Sequence, residues 1–484
     1  MSIPVTNKGA IASGVYAFAQ TETIPYMFMC TTTAAYNLNG QTGVLTQVTD
    51  TNFPTVGYTG TSWTGYIVGT TMTVTVAPSY PTVLILPNQY ITATGMVAQT
   101  YIVNQVSGTT GGVGTYTVSN SQTLYSSGSP GSIASPATAI RNLAYGASYL
   151  DGSVYVLTTD GRIYGSNLED STGWNALNYL TKESEADGGV ATCKHLNYIL
   201  AWGAWSMEAF YDAAGPAPFS PLLRYDAAKT EIGCAVGTSV VPFSGTVAWI
   251  GQSREAGRGV FLLNGMAPQK ISTTSIDTYL NQSALIVGGL PIVRAWAVTL
   301  SGHSFYVLTL KDLNVTLVYD LLEGEWYQWT STKQTGTTLA EGFFTQEFFA
   351  ALTGTSYTID STTGNVYTLS VNSYDDGVNA SSSTGVNPIQ WRIVTESIDG
   401  GNNLVKFFHS LEIMGDRVNT PLFVRHTDDD FSSWSSYRQV QLVNARPVIF
   451  QCGQSRKRAY EFYHNDSLPI RLHSAEVLVK MGSN

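Results

Sequence analysis

The side chains that could do chemistry are few and scattered. The six histidines, His195, His303, His409, His426, His464 and His473, never stand as HxH, HxxxH or HExxH, and no CxxC pair accompanies them. Zinc sites are built from such spacings, so no metal site is expected. There is no GxSxG elbow and no glycine loop ending in Gly-Lys-Ser/Thr, which removes the common nucleophile and phosphate-cradling motifs. GQSREAGRG (251–259) is glycine-rich, but it lies between two strand-like runs rather than before a helix and reads as a polar hairpin. Glycosidases need two facing carboxylates. The candidate pairs are Glu183/Glu185 in a polar connector, Glu323/Glu325 around Gly324 in a predicted turn, and Glu341/Glu347. All three read as solvated turns. The expectation is no catalytic residue, no cofactor and no turnover.

Two further segments concentrate polar groups. HTDDDFSSW (426–434) resembles a degenerate Asp-box, the structural hairpin of sialidase-like propellers, with Phe431 where that pattern has glycine. Its three acids lack the alternating DxDxDG spacing of a calcium loop, so a capped turn is expected. QSRKRAYEFYH (454–464) is the densest basic stretch. Read as a strand, it sends Arg456 and Arg458 to one side and Lys457 to the other, with Tyr460 and Phe462 following. Arginine beside aromatics suits a protein interface, since it stacks on rings and forks onto carboxylates. Arg438, Arg456, Lys457 and Arg458 are therefore the candidate subunit-interface residues.

The elements that must carry these groups follow from composition. Of 484 residues only 58 are charged, 12%, about half the roughly 25% of an ordinary soluble domain. Hydrophobic residues make up 43%, with 46 Gly and 28 Tyr, and mean hydropathy is +0.02. A chain this rich in aromatics is not typically disordered. No apolar run approaches the ~20 residues of a membrane span, and Glu, Lys and Arg are too scarce for a helical bundle. A large β-rich protein remains. Its net charge of −10 opposes tight non-specific binding of nucleic acid, which depends on Lys/Arg–phosphate contacts. The N-terminal residues lack a basic region followed by an apolar one, so no secretory signal is expected. Cys30, Cys193, Cys234 and Cys452 are far apart and read as buried free thiols.

Strand–turn–strand units recur along the chain. YLDGSVYVLTTDGRIYGSN (149–167) shows the pattern, two apolar runs joined at Asp160-Gly161, where Gly accepts positive φ and Asp bonds its own backbone. Similar units begin near 14, 193, 245, 303 and 348, about 40 to 55 residues apart, the period of propeller blades. The expected fold is an all-β propeller of about six blades, with seven, or a sandwich of the same strands, as alternatives. Between Thr51 and Ile140 there is no Asp, Glu, Lys, Arg or His, yet TMTVTV (71–76), TVLIL (82–86) and GTYTVSN (114–120) are strand-like. The domain organisation expected is first propeller strands over 1–65, an uncharged inserted β domain over 66–138, blades over 139–387, and a C-terminal β domain over 388–484 packing on the propeller.

Several strings together resemble a known family. They are the run around Trp174–Leu177, SMEAFYDAAG (206–215), the EIGC box at Glu231–Cys234, the strand bearing Trp249, the G-x-x-P-x-x-I-S-T string at Gly265–Thr273, and the closing series CGQSRKRAYEF and LHSAEVLV. Their order is similar to that of the tail nozzle proteins of short-tailed bacteriophages, also called packaged-DNA stabilisation or tail hub proteins. The resemblance implies a virion tail protein, assembled in the host cytoplasm. It also implies a homo-hexameric ring under the adaptor ring of the head-to-tail connector, with tail fibres or spikes and a needle or plug nearby. Such a ring retains packaged DNA and conducts it outward without gripping it, and does not insert into membrane. The rival reading is a propeller tail protein that binds or cleaves glycans.

Overall fold

The computed structural model describes residues 17–20, 26–55, 62–76, 85, 90–93, 95–97, 100–124, 137–140, 142–185, 187–287, 289–335, 338–352, 355–378 and 386–482. Six antiparallel sheets of three to five strands follow one another along the chain, and nearly every strand in them pairs with its sequence neighbour. The first runs Ala17–Gln20, Tyr26–Cys30, Ala35–Asn39, Leu45–Gln47, and the second Ser148–Leu150, Ser153–Leu157, Arg162–Asn167, Asp170–Thr181. The third covers Ala191 to Arg224 and the fourth Gly233 to Lys270. A five-stranded sheet spans Val293 to Phe343 and a three-stranded one Gln346 to Leu369. This is the meander of propeller blades.

The packing explains the sequence pattern. Ser153–Leu157 is buried at every position, because a central blade strand is covered on both faces and loses the alternation of a half-exposed strand. Leu150, Tyr155, Leu157 and Ile163 of the second sheet share a core with Ile199, Ala201, Phe210 and Leu222 of the third. Leu200, Trp202 and Met207 in turn meet Val247, Trp249 and Leu263 of the fourth. Phe28 and Cys30 of the first meet Val154, Val156 and Trp174 of the second. One α-helix is present among the described residues, Thr274–Gln282, directly after the G-x-x-P-x-x-I-S-T string. A strand-only reading misses it. It buries Ile276 and Leu280, one turn apart.

The uncharged segment holds its own five-stranded sheet, ordered Tyr90–Thr92, Ala137–Ile140, Ser62–Val76, Gly114–Leu124, Ile102–Gly108. Its core is Ile67, Met72, Val74, Ile85, Ile91, Ile102, Tyr116, Val118 and Leu124. The predicted strands 71–76 and 114–120 fall within it; of TVLIL only Ile85 is described, and the Ser126–Ser135 linker lies outside the described residues.

After Val386 the chain forms two more antiparallel sheets. One is ordered Trp391–Val394, Ala459–His464, Pro421–Thr427, Arg438–Gln441. In the other, Lys406–Gly415 pairs with Val448–Phe450, Gln454–Ser455 and Leu472–Met481. Between them lie Phe408, Leu411, Ile413, Leu422, Val424, Val440, Ile449, Tyr460 and Phe462, a sandwich core. The chain divides into two compact units, Met1–Thr299 with His303–Leu313 and Leu317–Tyr327, and Gln328–Asn484 with Leu300–Gly302 and Asn314–Thr316.

Candidate functional site

The basic stretch is not a strand throughout. Residues 456 and 457 form a bend, and the strand begins at Ala459, so the two-sided alternation of Arg456, Lys457 and Arg458 does not apply. Two buried cations fix the bend. Lys406, 2% exposed, donates from Nζ to the carbonyls of Asn402 at 2.8 Å, Leu404 at 3.0 Å and Arg456 at 2.8 Å. Arg458, 1% exposed, donates from Nε and Nη2 to the two oxygens of Asp428, each at 2.7 Å, and from Nη1 to the Cys452 carbonyl. Its guanidinium lies 4.2 Å from the Phe408 ring centroid. Burial alone would push Arg458 down, but Asp428 more than offsets this and holds it above its ordinary value.

The remaining candidates are outside. Lys457 pairs with Asp430. Arg456 is exposed and stands with Asp399, Asn402, Asp428 and Ser455 around a cavity of about 550 Å³. Arg438 is exposed, its Nη1 3.5 Å from the Gln451 carbonyl. The structure thus gathers 456, 457 and 458 at one bend, with 458 committed inward, and sets Arg438 beside Gln451.

Two clusters escape a sequence reading. In the C-terminal sheets, Glu461 is 1% exposed and receives Tyr437 Oη at 2.8 Å, Arg425 Nε at 2.8 Å and Arg392 Nε at 2.9 Å. Arg425 also lies 4.8 Å from the Trp434 ring and 4.5 Å from that of Tyr437. FSSWSSY (431–437) places an aromatic every third residue, the one signal that could have pointed here. A glutamate, a tyrosine and two arginines could suggest covalent glycoside chemistry. Burial and Glu461 push the Tyr437 phenol up to about 12. In the blades, Lys182 contacts Asp187 and Ser206 Oγ, and Glu208 accepts from Ser184 N and Oγ at 2.8 and 2.7 Å and lies 2.6 Å from Arg224 Nε. Lys182, Asp187 and Glu208 are all buried.

The expectation of solvated turns fails for the third carboxylate pair, because Glu341 and Glu347 lie in the strands Thr338–Phe343 and Gln346–Leu352. Glu183 lies 3.6 Å from Arg224 and Glu185 3.1 Å from Arg254; Glu323, Glu325 and Glu341 are exposed, and Glu347 is buried. In the Asp-box-like loop Asp429 accepts from Ser433 N at 2.9 Å and Thr427 Oγ1 at 2.7 Å, and these bonds with that of the Ser433 hydroxyl hold it down at about 2. Phe431 adopts φ +68°, the conformation for which the pattern has glycine. All four cysteines are free and buried. Burial pushes the Cys234 thiol up to about 12, which makes it unreactive. No group of three or more His, Cys, Asp or Glu among the described residues is placed to hold a metal ion, and no helix among them is long and apolar enough to cross a membrane.

Comparison with known proteins gives one family. No curated protein matches the chain. Solved structures that share similarity include the mitotic checkpoint complex (8% identity, 76% of this chain and 86% of that one, TM-score 0.33). An exo-β-1,3-galactanase of Phanerochaete chrysosporium matches at 12% identity, 89% and 98% coverage and TM-score 0.21. The extracellular domain of a hybrid two-component system protein of B. thetaiotaomicron matches at 9%, 92% and 48%, and 0.31. Scores this low carry no argument. The family model described as the bacteriophage P22 Gp10 β-propeller matches residues 32–374, most of the chain and all of the successive meanders except the first two strands. The chain therefore belongs to the Gp10 β-propeller family and is a phage structural protein.

Proposed function

We propose that the protein is a tail nozzle: six copies form a ring below the portal–adaptor complex, retain the packaged genome and conduct it outward on infection. The observation that carries this reading is the Gp10 family match over 32–374. The charge supports it. A conduit must not grip what passes through, and six copies at −10 each bring on the order of −60 formal charges, which repel phosphate and avoid the counterion-release affinity of basic proteins. No turnover is part of the role. Arg438, Arg456 and Lys457 serve contacts between proteins. The test is electron microscopy of virions with and without this chain. A ring at the distal side of the adaptor, and heads that lose their DNA when the chain is missing, are the expected results; tails that assemble and hold DNA without it would sink the reading.

A further inference from the structure

The outer face of the sheet centred on Lys406–Gly415 carries a notch. The register shifts between Phe408 and Ser410, an irregularity of the bulge kind. Ser410 thus stands directly between Phe450 on one neighbouring strand and Leu478 on the other. Large, small, large across three strands leaves a depression of about 370 Å³, lined also by His409 and Gln451. Phe450 is 62% exposed and Leu478 63%, so two large apolar side chains face solvent on either side of the depression. Two cations stand on one side of it, while the outward pair Glu412 and Glu476, the former held by Arg446, stands on the other. Lys480 stands opposite Phe407, the next outward residue of the strand, and Arg438 reaches the Gln451 carbonyl. Neither forms an ion pair among the described residues.

The complementary feature is a blade turn. Leu322 is 68% exposed and is followed by Glu323 and Glu325, which also form no ion pair among the described residues. The turn is pre-set. Asp320 accepts from Leu322 N at 2.9 Å and His303 Nδ1 lies 2.6 Å from its other oxygen, while Gly324 N donates to the Asp320 carbonyl at 2.9 Å. Charge is polarised along the chain in the same sense: residues 388–484 hold 11 Lys/Arg and 10 Asp/Glu, whereas 1–387 hold 13 and 24.

We propose that in a ring of identical copies the Leu322 turn of one copy seats in the notch of another. The leucine fills the space between Phe450 and Leu478, and Glu323 and Glu325 meet Arg438 and Lys480. The contact rests on the ring reading above. It is heterologous, each copy offering both halves, which is the kind of contact that propagates into a closed ring.

The test uses the full chain and its assembly constant, measured by light scattering and native mass. Charge reversal on the turn (Glu323→Lys with Glu325→Lys), or on the notch (Arg438→Glu with Lys480→Glu), is expected to weaken assembly by about tenfold or more. All four positions are exposed, so the melting profile stays that of the parent chain. Both reversals in one chain restore assembly to within a few-fold of the parent. Rings that ignore either reversal, or a combined variant as weak as each single set, overturn this contact while leaving the ring reading intact. A parent chain that stays monomeric at every concentration overturns the ring reading and this contact with it.

Discussion

At the residue scale, the C-terminal sheets are organised by charges that water never reaches. Lys406 takes the place a bound cation could fill, drawing three carbonyls together, and Arg458 satisfies Asp428 and Cys452 at once. Asp428 is about one-third exposed, so removing Arg458 costs its charge-assisted hydrogen bonds and the donor to the Cys452 carbonyl rather than a stranded buried charge. Arg458→Met is therefore expected to cost about 2 kcal/mol, read as a lowered denaturant midpoint; a midpoint like that of the parent would show that the guanidinium is dispensable. Asp376 gives a pH dependence. Burial, with Asp375 adding, pushes its carboxyl up to about 6, although the Thr332 amide pulls the other way. The folded chain then keeps a proton that the unfolded chain loses near its ordinary value of about 4. Its share of stability is full below pH 4 and lost as pH rises through about 6. Asp376→Asn should match the parent at pH 3.5 and exceed it at pH 7 by on the order of 2 kcal/mol. Equal pH profiles would refute this. None of these partners could be read from the sequence. Glu461 and Arg392 are 69 positions apart, and the basic run 456–458 gives no sign of which cation turns inward.

At the element scale, close approaches between blades decide which glycines are obligatory. A Cβ on Gly233 would lie 2.3 Å from the backbone of Ala204 and Trp205, and its carbonyl accepts from Trp249 Nε1 at 3.1 Å. Gly233→Ala forces two blade segments apart, and a loss of about 3 kcal/mol is expected. Gly245 has positive φ but open space around it, so Gly245→Ala should cost only about 1 kcal/mol. Thermal unfolding of the two variants side by side measures the difference, and equal losses would mean that the approach relaxes. The EIGC string was visible in the sequence; the reason for its glycine was not, because Ala204 lies in the bend between the strands Tyr198–Trp202 and Met207–Asp212. Turn signals were legible for a local reason. Asp360 accepts from Thr362 N at 2.7 Å, Thr362 Oγ1 at 2.6 Å and Thr363 N at 2.8 Å, all within three residues. The helix Thr274–Gln282 was missed because its two buried positions are too few to outweigh the surrounding strand pattern.

At the scale of the whole molecule, the uncharged segment is built as a detachable piece. Ser62 and Trp63 on its entering strand pair with Thr138 and Ala137 on its leaving strand, so entry and exit stand side by side. Its core residues are all its own. Deleting 66–138 and joining the ends is expected to leave the unfolding of the blades and the assembly of rings unchanged, as calorimetry and light scattering would report; a collapsed propeller would refute this. What the sequence by itself determined is the all-β class, the succession of meanders, the neutral insertion, the C-terminal strands and the family likeness. These rest on composition, on turns whose partners lie a few residues apart, and on apolar runs whose period is set within a strand. Only the tertiary structure decided which charges are buried. It brings Arg458 to Asp428, Glu461 to two arginines and Lys182 to Glu208, and it places Ser410 between Phe450 and Leu478. The physical reason is that burial and pairing depend on strands meeting across dozens of residues, a relation that no local pattern encodes.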